Sequence, residues 1–275
     1  MGALAADSFG PVSHTVTPQG VAAFVAATGD DAERWSDHAP PSYAAVGLLT
    51  VAGQLLTAAM DDFAAIVHTK QRFSWEGPLP LGSEIEVSGM VSSSRERSGM
   101  TMVEFSAAAP GWMKSTSSFL MSGAVSDRAD ELAEPPPATR TTADVPLAAA
   151  LPAAAGEAVA PLAKSASRLD ILQYAAASGD WNPIHWDHES AAAVGLGGVV
   201  AHGLLAAAWL AQAAARYSPR TDPLASIDIR FRHPLRPGAA ATVTGTAREL
   251  SPLRFDLSLM VGGDALVTAT AEVNE

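Results

Sequence analysis

The segment Ser178-Gly179-Asp180-Trp181-Asn182-Pro183-Ile184-His185 sets a carboxylate and an imidazole five residues apart around an Asn-Pro dipeptide. That spacing does not put two side chains on one face of a helix, where neighbours recur at three and four. Asn-Pro signals a turn instead, and a turn can direct both groups into one pocket. A carboxylate and an imidazole that share one water can take its proton and return one on the same face of a substrate, which is general acid–base chemistry. Asn182 carries both a donor and an acceptor, so it either orients the pair, contacts substrate, or caps the Asx-Pro turn. Gly203 stands where a long apolar helix begins. A helix N-terminus presents free amides and a favourable dipole to an oxygen that gains charge, although a glycine there also serves tight packing.

Other chemistries are narrower. The chain has no cysteine, which excludes disulfides, thiolate catalysis and cysteine metal sites. His185, Asp187, His188 and His202 invite a metal reading, but three ligands within four residues would be crowded and no further spacing completes a site, so no metal is expected. His202 is read as structural. A net charge of −12 over 275 residues argues against a nucleic-acid binder, which needs a basic surface. Arg230, Arg232 and Arg236 form the one dense basic patch. On a strand, Ile227, Ile229 and Phe231 would face the core and the first two arginines would face out, as phosphate ligands or as a solvated face. Trp181 and Trp186 flank the turn and are candidates for shaping a substrate channel.

The elements that must position these residues come in duplicate. Phe24-Val-Ala-Ala-Thr28-Gly29-Asp30 reads like Tyr174-Ala-Ala-Ala-Ser178-Gly179-Asp180. Thr17 before Pro18, and Ser167 three residues before Asp170, mark the starts of two short helices that stop at their glycines. Pro78-Leu-Pro-Leu-Gly82 likewise matches Pro234-Leu-Arg-Pro-Gly238, each leading into a Val-x-Gly strand. Two ordered matches indicate duplicated domains: residues 1–126 and 162–275, with a Pro/Ala-rich linker over 127–161 centred on Pro135-Pro136-Pro137. Long apolar helices are expected over Tyr43 to Met60 and His202 to Tyr217. Strands are expected over 71–75, 84–93 and 101–108, then 226–232, 241–249, 254–261 and 265–273. One apolar helix with a run of antiparallel strands makes an α+β unit whose sheet wraps the helix. The most apolar stretch, Val199 to Ala215, is short for a membrane span and carries His202 and Gln212, and Met1 to Pro11 lacks the order of a signal peptide. A cytoplasmic protein that enters no membrane is the expectation.

Tyr174 through Ser178-Gly179-Asp180-Trp181-Asn182-Pro183-Ile184-His185, with Gly195 to Gly203 downstream and the basic Arg230 to Gly238 segment, resembles the MaoC-like, or hydratase 2, family. The resemblance is specific over about residues 162–275 and weaker over the first half, which looks like a degenerate partner. It implies a double hot-dog fold, two antiparallel sheets each wrapping a long helix and packed as a pseudo-dimer. It also implies (R)-specific hydration of 2-enoyl thioesters, or the reverse dehydration, with Asp180 and His185 as the acid–base pair; the oxyanion donor expected for such a step is the Gly203 N–H, from its place at the helix start. No cofactor is expected beyond the CoA or acyl-carrier phosphopantetheine of the substrate itself. At the first repeat Asp30 persists, but Ala32 replaces Asn182 and Trp35 replaces His185, so one working site per chain is expected. A hot-dog thioesterase and a non-catalytic acyl-binding protein are the competing readings. A fused pair of hot dogs already mimics a dimer, so a monomer and a homodimer of chains are both compatible.

Overall fold

The computed structural model describes residues 8–59, 62–63, 65–123 and 150–274. The first half begins with strand β1 (Ser8–Thr15), helix α1 (Pro18–Thr28) and a two-residue strand β2 (His38–Ala39). The long helix α2 (Ala44–Ala59) follows, then β3 (Ala65–Trp75), β4 (Leu79–Pro80), β5 (Glu84–Arg97), β6 (Met100–Ala109) and β7 (Met113–Ser122). The second half repeats the plan with β8 (Leu162–Lys164), α3 (Arg168–Ser178), a short α4 (His188–Ala193) and the long α5 (Gly203–Ala215). It closes with β9 (Leu224–Phe231), β10 (Ala241–Leu250), β11 (Leu253–Val261) and β12 (Asp264–Val273).

Local sequence sets the two short helices. Thr17 accepts the Gly20 N–H at 3.0 Å, and Pro18 opens α1. Ser167 and Asp170 form a reciprocal capping box on α3. The helices stop on Gly29 (φ 60°) and Gly179 (φ 83°), in the left-handed region that residues with a Cβ disfavour. Their buried faces coincide under the repeat: Val21, Phe24, Val25 and Thr28 against Ile171, Tyr174, Ala175 and Ser178. Phe24 meets Tyr174 with ring centroids 5.8 Å apart, so equivalent aromatics face one another between the halves.

The main sheet has ten strands in the order β1-β5-β6-β7-β3-β9-β12-β11-β10-β8, and the order is symmetric about its centre. The expected pair of sheets is therefore joined edge to edge rather than separate. Strands β3 and β9 pair antiparallel, with Gln71 opposite Ile229 and Phe73 opposite Ile227. Each is the edge of its own half, and the pairing satisfies backbone groups that either would otherwise expose. Helices α2 and α5 are the two cores that the sheet encloses. Every residue of α5 after Gly203 is buried. Pro41–Ala59 is long and apolar enough to cross a membrane, yet here Leu48, Val51 and Leu55 of α2 sit in the protein core.

Polar contacts tie the halves at helix ends. Trp209 Nε1 and Gln212 Nε2 donate to the Thr28 carbonyl at 3.1 and 3.2 Å, supplying a partner to the open end of α1. Arg34 reaches from the first half to the carbonyls of Ala215, the last residue of α5, and of Ser218 and Arg220 just beyond it. Of the expected linker, residues 127–149 lie outside the described residues. Residues 150–161 run beside β10: Gly156 N–H donates to Ala247 at 2.7 Å and Val159 N–H to Gly245 at 2.9 Å.

Candidate active site

The turn after α3 is built from its own side chains. Asp180 Oδ1 accepts the Asn182 N–H at 3.4 Å. Asn182 Oδ1 accepts the Ile184 N–H at 3.3 Å and caps a single 3-10 turn over Pro183–His185. His185 Nδ1 lies 2.9 Å from the Val200 carbonyl. A carbonyl only accepts, so Nδ1 carries the proton and Nε2 keeps its lone pair in the neutral ring. Val200 is pinned to the same turn through its N–H to Ile184 O at 3.3 Å, and Ala201 N–H holds Leu235 O at 2.8 Å. The backbone that orients His185 is thus itself braced.

His202 supports the pair from behind. Its ring stacks on His185 with centroids 3.8 Å apart, and Nε2 donates to the Asp180 carbonyl at 3.0 Å. Tyr174 packs against the His202 ring with centroids 4.9 Å apart. Burial holds both imidazoles below the ordinary histidine range; the Asp180 charge opposes this at His185, while His185 adds to it at His202. At neutral pH both are uncharged. Burial, seconded by Asp180, pushes the Tyr174 phenol up, so it stays protonated.

Ligand-type atoms of Asp180, His185 and His202 lie within 4.8 Å of one another. Yet His185 Nδ1 is taken by the Val200 carbonyl and His202 Nε2 by the Asp180 carbonyl, which leaves one nitrogen on each of two rings stacked 3.8 Å apart. The arrangement suits proton transfer at one water better than a cation.

Asp180, Asn182, His185 and Gly203 all line a cavity of about 450 Å³. The first half closes it with an apolar wall that includes Leu48, Leu49, Ala52 and Leu56 of α2 and Ile66 of β3. Gly203 is the first residue of α5, where a backbone N–H has no partner inside the helix. A Cβ there would lie 3.1 Å from the Phe231 ring, so glycine permits the approach of helix to strand.

The remaining sequence candidates separate. Arg232 lines the cavity, with Nε 3.4 Å from Thr268 Oγ1. Arg230 lies with Lys70 and Arg72 on another part of the sheet surface and is not among the cavity-lining residues. Arg236 does not offer its guanidinium to a ligand: it donates to the carbonyls of Gly198 (2.8 Å), Val199 and Leu196, strapping the loop before α5. Trp181 and Trp186 do not shape the channel. They are 55% and 47% exposed, because a tight turn that sends Asp180 and His185 inward sends the residues after them outward. Trp186 Nε1 donates to Trp181 O at 3.2 Å and braces the turn from outside.

At the equivalent place in the first half, Trp35 is buried where the second half has His185, with the Arg34 guanidinium 4.8 Å from its ring centroid. Lys164 Nζ donates to Gly29 O at 2.6 Å beside it. Indole and cations occupy the position, and burial raises Asp30 above the usual carboxylate range.

Sequence reasoning did not single out His68. It lines the cavity from the first half, in a part of β3 whose register shifts between His68 and Lys70. That irregularity erases the alternation that would have marked a strand.

Residues 149–266 match the model of the MaoC like domain. An (R)-specific enoyl-CoA hydratase of Rhodospirillum rubrum is 29% identical over 119 residues, covering 42% of this chain and 83% of the relative. Among solved structures, one described as a MaoC-like dehydratase superposes with a TM-score of 0.80 at 16% identity, covering 99% of this chain and 98% of its own. A protein of Mycobacterium tuberculosis described as a double hotdog fold superposes with a TM-score of 0.65 at 13% identity, covering 98% and 96%. These likenesses establish the double hot-dog architecture.

Proposed function

We propose that this chain, whose residues 149–266 match the model of the MaoC like domain, catalyses the reversible (R)-specific hydration of 2-enoyl thioesters carried on CoA or an acyl carrier protein. The observation that carries the reading is the pairing of Asp180 with a His185 whose tautomer is fixed by the Val200 carbonyl, both on one largely apolar cavity. The relative from Rhodospirillum rubrum, named as an (R)-specific enoyl-CoA hydratase, supports the same chemistry and stereochemistry.

In the proposed step, one water sits between the Asp180 carboxylate and His185 Nε2. Its oxygen bonds to C3 as the pair takes its proton, and the C2=C3 electrons shift toward the thioester. The Gly203 N–H meets the charge on the thioester oxygen. A proton returns from the pair to C2 on the same face, so water is added with nothing left over. Arg232, at the cavity, is assigned to the carrier phosphate, which guanidinium suits. Asn182 is assigned to holding the turn, since its side chain is engaged with Ile184 N–H. The cytoplasmic setting and a role in acyl metabolism belong to the same proposal.

Hydrolysis is the weaker reading, because neither α2 nor α5 contains an aspartate or glutamate that could attack or activate water at the thioester carbon. Incubation with crotonyl-CoA should remove the enoyl absorbance without releasing thiol, and His185→Ala should abolish the loss. Release of free CoA thiol would favour the thioesterase. Silence toward every enoyl chain length would end the hydratase reading.

A further inference from the structure

Of the described residues that line the cavity from the first half, His68 alone is polar. Its neighbours there are leucine, isoleucine, valine, alanine and phenylalanine. The ring is held between two aromatics, 4.7 Å from Phe119 and 4.9 Å from Phe231, both of which also line the cavity. In such a slot a phenylalanine would pack as well and carry no desolvation cost. The Lys70 backbone and the Gln71 side chain act on the ring, yet the Nε2 atom itself is buried and has no hydrogen-bond partner in the protein. Buried polar atoms without a partner are rare in folded proteins and call for a reason. The catalytic pair supplies none: Asp180 acts on His68 through its charge, but His68 is not among the groups whose ligand-type atoms lie within 4.8 Å of Asp180 and His185.

We propose that His68 is a specificity-determining residue that hydrogen-bonds an uncharged oxygen substituent, a hydroxyl foremost, on the acyl chain of the substrate. The inference rests on the enoyl thioester reading and narrows its substrate class. A hydroxyl both donates and accepts, so it satisfies an imidazole nitrogen in either tautomer. A carboxylate is the wrong partner. Burial pushes the His68 pKa down to about 4, despite the opposing pull of Asp180, so the ring is neutral when the enzyme works and offers no charge to an anion. Burial also strengthens the discrimination: a site built around a polar atom rejects a chain that leaves it unpaired.

The test pairs plain 2-enoyl-CoAs with chains of equal length bearing one hydroxyl at successive carbons beyond C4. The wild type should favour at least one hydroxylated chain over its plain counterpart by about tenfold in kcat/KM, expressed mainly in KM. His68→Phe should erase that preference while keeping turnover of the plain chain within a few-fold, and His68→Gln should restore part of it. A wild type that favours plain chains throughout, or a His68→Phe variant that lowers both substrates alike, would overturn the inference and leave the hydratase reading standing. If the wild type hydrates neither kind, the hydratase reading fails and this inference fails with it.

Discussion

At the scale of single residues, the site is defined by which nitrogen of His185 carries the proton. The Val200 carbonyl fixes that proton on Nδ1, and burial keeps the ring neutral, so Nε2 is available as an acceptor at neutral pH. The sign of the pH dependence follows. A histidine that must be neutral to act loses activity as pH falls through its pKa, and here that pKa is lowered from 6.5. The acid limb of kcat/KM for enoyl hydration should therefore lie below pH 6.5, with a plateau through neutrality; a limb centred above pH 7 would mean that another group is the acceptor. Asp180, Asn182 and His185 were legible in the sequence because a turn motif keeps its members adjacent. His202 was read as structural, and its geometry, stacked on His185 and bonded to the Asp180 carbonyl, gives that word content. His68 was not legible, because nothing local connects a residue on β3 to a turn more than a hundred positions away.

At the scale of elements, the sequence marked most clearly what is decided locally. Caps and glycines announced α1 and α3, and alternation announced β9 to β12 to within a residue or two, while the three-residue β8 went unread. Strand β7 escaped. Its buried face runs Met113, Ser115, Ser117, Phe119, Met121, and the two serines are buried because Gln71 of β3 bonds both, at 2.8 and 2.7 Å. A polar network inside the core looks like an exposed strand when only the sequence is read. The short β1 was hidden in the same way by its mixed exposure. The α5 start gives the sharpest test at this scale. Gly203→Ala would press a Cβ to 3.1 Å from the Phe231 ring and push the first amide of α5 out of place. Misplacement of that kind should lower kcat by about a hundredfold with folding intact. Phe231→Leu added to Gly203→Ala should recover much of the loss, and failure to recover would detach the helix position from the chemistry.

At the scale of the molecule, duplication explains both the fold and the place of the candidate site. Two five-stranded halves share one sheet through β3 and β9, and each half donates polar groups to the other's helix ends. The first half keeps the scaffold but fills its own site with Trp35, and it furnishes α2 as a wall of the second half's cavity. Such interdependence should make the chain unfold as one unit. Arg34→Ala removes the donors to Ala215, Ser218 and Arg220, leaving carbonyls at the end of α5 without their partner. The loss should be about 2 kcal/mol in denaturant unfolding, still in one transition. Two separated transitions in the wild type would contradict a shared core.

The central claim is that Asp180 and His185 act as one unit on one water. A double-mutant cycle on enoyl-CoA hydration measures this directly, using Asp180→Asn, His185→Ala and the two combined. Each single variant should lose about a thousandfold or more in kcat, and the combination should lose scarcely more than either alone, because a pair sharing one proton inventory is disabled once. A single variant that retains near wild-type turnover, or losses that multiply in the double variant, would contradict the account.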